Sequence, residues 1–104
     1  MHQAERRRSR RFPLRNAASI RLLDGPSGVI SGTTENVSKD GVLVRADSAV
    51  PVGSYAELVL TLGSRAERSV RLSGVCKVIR VEPNFKGGAF AVALSCEHPL
   101  AMMD

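Results

Sequence analysis

Residues 55–62 constrain the fold most. Ala56, Leu58, Leu60 and Leu62 alternate with Tyr55, Glu57, Val59 and Thr61. A period of two puts one set on one face of an extended chain and the other set on the opposite face. The pattern recurs. Ala18, Ile20 and Leu22 interleave with Ser19, Arg21 and Leu23, and Phe90, Val92, Leu94 and Cys96 with Ala89, Ala91, Ala93 and Ser95. Residues 29–37 are rich in β-branched side chains, and 41–46 form another apolar run, as strands require. Clusters of turn-forming residues separate these runs: Asp24-Gly25-Pro26-Ser27-Gly28, Ser38-Lys39-Asp40-Gly41, Pro51-Val52-Gly53-Ser54, residues 63–67 and residues 83–88.

Residues 69–82 are too long for one flat strand. Val70 and Leu72 occupy even positions, whereas Val75, Ile79 and Val81 occupy odd ones. Gly74 lies at the change, so a bulge or sharp bend is expected there, as at a barrel corner. After His98-Pro99 only a frayed turn is expected. Six or seven short strands without a convincing helix imply an all-β domain, a small antiparallel barrel or sandwich. A chain of 104 residues forms one domain with one modest core. Aromatics are 4% and Trp is absent, so that core is aliphatic.

The charge is concentrated at one end. Residues 1–15 hold six arginines (Arg6, Arg7, Arg8, Arg10, Arg11 and Arg15) against one acid, Glu5. The rest of the chain has nine bases and nine acids. The whole net charge of +5 therefore belongs to an N-terminal arm, and that arm is where an anion is met. Phe12 precedes Pro13, which pushes it out of the α region, so the arm is read as extended and flexible. Ser9-Arg10-Arg11-Phe12 superficially matches a twin-arginine export signal. Asn16, Ser19, Arg21 and Asp24 interrupt the apolar stretch that such a signal needs. A soluble, cytoplasmic protein is expected.

Catalysis finds little support. His2 and His98 are not placed by pattern beside a Ser, Cys or acid, and no phosphate-loop glycine pattern precedes a helix. Cys76 and Cys96 lack metal-ligand spacing. In apolar strand-like runs they are expected to be free, buried thiols acting as small hydrophobes. No metal or cofactor is implied, and the protein is not expected to be an enzyme.

Two segments carry chemistry. Arg6-Arg7-x-x-x-Arg11 leads into Phe12-Pro13-Leu14, and Asn36-x-Ser38-x-x-Gly41 opens a strand. Arginine pairs bidentately with phosphate, stacks on bases, and meets the O6/N7 edge of guanine. Asn36 and Ser38 offer short donors and acceptors, and Gly41 leaves room at the backbone. Taken alone, Asn-x-Ser-x-x-Gly is most simply a polar turn whose side chains bond their own backbone.

Together the two segments resemble the signature of the PilZ domain family. Gly53 between strands, the long stretch through Val75 to Val81, and Gly87-Gly88-Ala89-Phe90 also resemble it. The resemblance covers about residues 5 to 97. It implies a six-stranded antiparallel β-barrel that binds the bacterial second messenger cyclic di-GMP and acts as a ligand-switched receptor or adaptor. Its domains would be a basic arm over 1–14, a PilZ-like barrel over 15–97 and a short C-terminal tail over 98–104. The ligand-binding residues it implies are Arg6, Arg7, Arg11, Asn36, Ser38 and Gly41. Arg6, next to the Arg-x-x-x-Arg motif, implies a stacked pair of ligand molecules. The output would pass to an unidentified protein partner, with no membrane and no long nucleic acid involved.

Asn36 stands where the family more often has Asp, and Asp40 where it often has Gly. The first substitution removes a charged acceptor for guanine N–H groups, and the second adds negative charge near phosphates. A C-terminal helix is usual in the family, and residues 97–104 supply little of one. Two other readings stay open. One is a barrel that binds RNA or single-stranded DNA through the basic arm, although Phe12, Tyr55, Phe85 and Phe90 are not clustered as a stacking platform. The other is a degenerate family member that works as an adaptor without a nucleotide.

Overall fold

The computed structural model describes residues 15–24, 28–38, 40–63, 70–84 and 89–103. The arm that carries Arg6, Arg7 and Arg11 lies outside the described residues. The described chain forms seven strands: β1 (Ala17–Leu22), β2 (Val29–Val37), β3 (Gly41–Ala46), β4 (Tyr55–Leu62), β5 (Val70–Asn84), β6 (Ala89–Cys96) and β7 (Ala101–Met102). Every pairing is antiparallel, in the order β4-β1-β2-β3-β6-β5-β7, and β4 also pairs with β5. That last pairing closes β1 to β6 into a six-stranded barrel, which leaves those six strands no open edge over their paired lengths.

The alternation of the sequence explains the closure. Ala18 and Ile20, Val42 and Val44, Ala56, Leu58 and Leu60, and Val92 and Leu94 are buried, each two residues from the next on its strand. Ile20 lies opposite Leu58 and Ile30, and Val44 opposite Val92 and Thr34. Each fully buried Leu, Ile or Val is worth about 1.5–3 kcal/mol of transfer free energy. Small aliphatic side chains are also what the interior of a six-stranded barrel has room for.

β5 is where the sequence reading needs correcting. Cys76 and Val78 are buried, so the even phase runs inward well past Gly74. The register slips between Val78 and Arg80. Val75 and Ile79 are 53% and 54% exposed, on the outer face. Gly74 therefore marks a close approach and no bulge: a Cβ there would lie 2.8 Å from Leu100 Cδ2. Leu100 packs against the core through the gap the glycine leaves. That contact brings the C-terminal residues back to the barrel. Ala101 and Met102 pair with Ser73 and Leu72, where a frayed turn was expected.

Candidate ligand-binding site

The turn between β2 and β3 is built by one side chain. Ser38 Oγ accepts from the amides of Asp40 (3.3 Å) and Gly41 (3.2 Å) and donates to the Gly41 carbonyl (3.3 Å). The Ser38 amide donates to that same carbonyl at 2.9 Å. A hydroxyl has one proton and two lone pairs, so the turn uses its full capacity. The turn is also fixed to β6, because the Cys96 amide donates to the Asp40 carbonyl at 2.9 Å. Gly41 is needed for the fit of β3 against β6: a Cβ there would lie 2.7 Å from the Leu94 carbonyl oxygen.

Asn36 reaches the outer face through a bulge. Thr34 is buried and lies opposite Val44; the register then slips, and Asn36 lies opposite Leu43. Unbroken alternation from Thr34 would have turned Asn36 inward. With Glu35 as the extra residue, Asn36 stays outside and Val37 packs on the core. The Glu35 carboxylate forms an ion pair with the Arg45 guanidinium. Among the described residues, the Asn36 carboxamide has no hydrogen-bond partner.

The root of the arm is held beside this turn. Thr34 is fully buried, and its Oγ1 accepts the Asn16 amide proton at 2.9 Å. The Thr34 amide donates to the Asn16 carbonyl, also at 2.9 Å. A buried hydroxyl needs a partner, and here the partner is the chain just before β1. The polypeptide thus joins the barrel next to a residue two positions before Asn36.

Cys76 and Cys96 are free and buried, as the sequence led us to expect; the structure adds that they lie directly opposite each other across β5 and β6. The hydrogen bond with Cys96, then burial, pushes the Cys76 thiol above its ordinary range. Among the described residues no group of three or more His, Cys, Asp or Glu side chains is placed to hold a metal. Nor is any helix among them long and apolar enough to cross a membrane.

A family model described as the PilZ domain matches residues 5–102, spanning the arm, the turn and all seven strands. The chain belongs to the PilZ domain family. Among solved structures, the barrel is similar to the inhibitor of motility MotI/DgrA of Bacillus subtilis, with a TM-score of 0.71 at 17% identity. That match covers 89% of this chain and 43% of the other, so this chain spans less than half of that protein. It is also similar to the PilZ domain of YcgR from Escherichia coli, solved with c-di-GMP. There the TM-score is 0.57 at 14% identity, covering 95% of this chain and 79% of the other. At these identities the likeness is one of fold. No curated protein matches the chain by sequence.

In this PilZ domain, Asn36, Ser38 and Gly41 come together within one turn, while Arg6, Arg7 and Arg11 lie outside the described residues. Sequence reading missed Thr34, the bulge at Glu35 and the Glu35–Arg45 pair. The linear pattern carried no signal for the bulge: the inward facing of both Thr34 and Val37, a spacing of three that an uninterrupted strand does not allow, is visible only in the folded register.

Proposed function

We propose that this PilZ domain binds cyclic di-GMP between its arginine arm and the Asn36–Gly41 turn, and passes the signal to a protein partner. The observation that carries this reading is the Asn16–Thr34 clasp. It fixes the root of the arm two residues from Asn36. Arg11 is only five residues upstream of Asn16, a reach of at most about 18 Å at roughly 3.3–3.6 Å per residue. That reach would let Arg11 share a ligand with Asn36, whose carboxamide has no hydrogen-bond partner among the described residues.

In this reading Arg7 and Arg11 take phosphate oxygens and guanine edges. Asn36 meets a guanine edge, and its amide supplies both a donor and an acceptor there. Ser38 and Gly41 act through shape: the first folds the turn, and the second lets β3 seat against β6. Arg6 provides the charge that a second, stacked ligand molecule needs. Asp40 is exposed beside the site and opposes that pair. The protein works as a cytoplasmic receptor or adaptor and not as an enzyme. Ordering of the arm on the ligand changes the surface shown to the partner. The c-di-GMP in the YcgR structure supports the ligand class. Calorimetric titration of the whole chain with cyclic di-GMP tests it: saturable heat is expected, with affinity strongly weakened in Arg7→Ala and Arg11→Ala, and an inert wild type would refute it.

A further inference from the structure

β2 is not the only strand with a bulge. β5 has one between Val78 and Arg80, and the two stand at the same level of the barrel. Asn36 pairs with Leu43, Leu43 with Ala93, and Ala93 with Arg80. These four residues form one transverse row on the outer face, with a bulge just before each end. The effect is the same at both ends. From buried Val78, unbroken alternation would turn Arg80 into the core; the extra residue, Ile79, leaves Arg80 outside and Val81 packed inward. Bulges of this kind re-aim side chains beside sites.

We infer that Arg80 is a further ligand-contacting residue, a guanidinium at the end of the row opposite Asn36. The inference rests on the reading of cyclic di-GMP as the ligand. Three strand spacings separate the ends of the row, about 14 Å along the sheet, and Leu43 and Ala93 between them offer an apolar floor. The Arg80 side chain is 62% exposed, and its one neighbour of opposite charge among the described residues is Glu82, with Nε 3.4 Å from a carboxylate oxygen. Exposed ion pairs of this kind hold weakly, so a phosphate can displace the carboxylate. A ligand bridging the row is then held at both of its ends, by the Asn36 carboxamide and by the Arg80 fork. Ile79, 54% exposed next to Arg80, adds apolar surface for a base.

The test is calorimetric titration of the intact chain with cyclic di-GMP, alongside a thermal melt of each variant without ligand. Arg80→Ala is expected to weaken binding about tenfold, the loss of one charge-assisted contact. Arg80→Lys keeps the charge but not the planar fork and should fall between. Glu82→Gln should bind at least about twofold tighter, because it frees the guanidinium; this opposite sign is not expected of a merely structural residue. Arg71→Ala, farther along β5, should bind as wild type. If the wild type binds and Arg11→Ala binds more weakly, but Arg80→Ala and Glu82→Gln both match wild type, the role of Arg80 is refuted and the ligand reading stands. If the wild type gives no heat, both are refuted.

Discussion

Ser38 and Asn36 divide the labour of the motif. The hydroxyl of Ser38 is spent inside the turn, whereas the carboxamide of Asn36 is held at the outer face. Ser38→Ala removes the turn's organiser. It should lower stability by about 0.5–1.5 kcal/mol, a fall of several degrees in Tm at about 4–8 °C per kcal/mol. Binding should weaken only as far as the turn loosens. A variant with unchanged Tm and abolished binding would instead assign the hydroxyl to the ligand. Arg7→Ala and Arg11→Ala should do the reverse, with Tm unchanged and binding weakened about 10- to 100-fold each, as loss of a charge-assisted hydrogen bond implies. Calorimetry and melting curves on the same samples check both. The sequence named these residues as ligand-binding, and also offered a polar turn whose side chains bond their own backbone, which is what the Ser38 hydroxyl does. Which neighbour a hydroxyl bonds, and that the Leu94 carbonyl fills the space over Gly41, depend on cross-strand register, which a linear pattern does not carry.

At the scale of elements, the strands were legible because burial on one face forces period two. β2, β3 and β4 lie where the alternation and turns put them. β5 was misread in its middle because Val75 and Ile79 are apolar yet exposed, so hydrophobicity alone assigned the wrong phase. Gly74 looked like a bend because the side chain that fills its space, Leu100, comes from 26 residues away in the sequence. Thr34 was legible only as a β-former. Its second role, clasping Asn16, gives a prediction at this scale. Thr34→Val keeps the shape and removes the acceptor for the Asn16 amide. It should cost about 1–3 kcal/mol for the buried group left unpaired. It should also weaken cyclic di-GMP binding severalfold, although Thr34 is assigned no ligand contact, because the arm loses its fixed root. Lower Tm with wild-type affinity would show that the clasp does not position the arm.

For the whole molecule, charge and fold divide cleanly. The net charge of +5 is carried by residues 1–15, and the barrel that follows is a neutral scaffold. In the proposed reading a stacked pair of dinucleotides brings four phosphates together, and Arg6 would supply the extra guanidinium that offsets their repulsion. Saturation at two ligands per chain is therefore expected, falling to one in Arg6→Ala. A wild type that saturates at one, even at high excess, contradicts this. The proposed ligand is a small cyclic dinucleotide and not a polynucleotide. Calorimetric titration at two salt concentrations tests it most directly. A polynucleotide releases condensed counterions, and log K falls by about 0.9 per neutralised duplex phosphate for each decade of salt, or about 0.7 on a single strand. Saturable binding of cyclic di-GMP with a shallow salt dependence and no tight binding of oligonucleotides is expected; tight, steeply salt-dependent oligonucleotide binding with no heat from cyclic di-GMP would contradict a dinucleotide ligand.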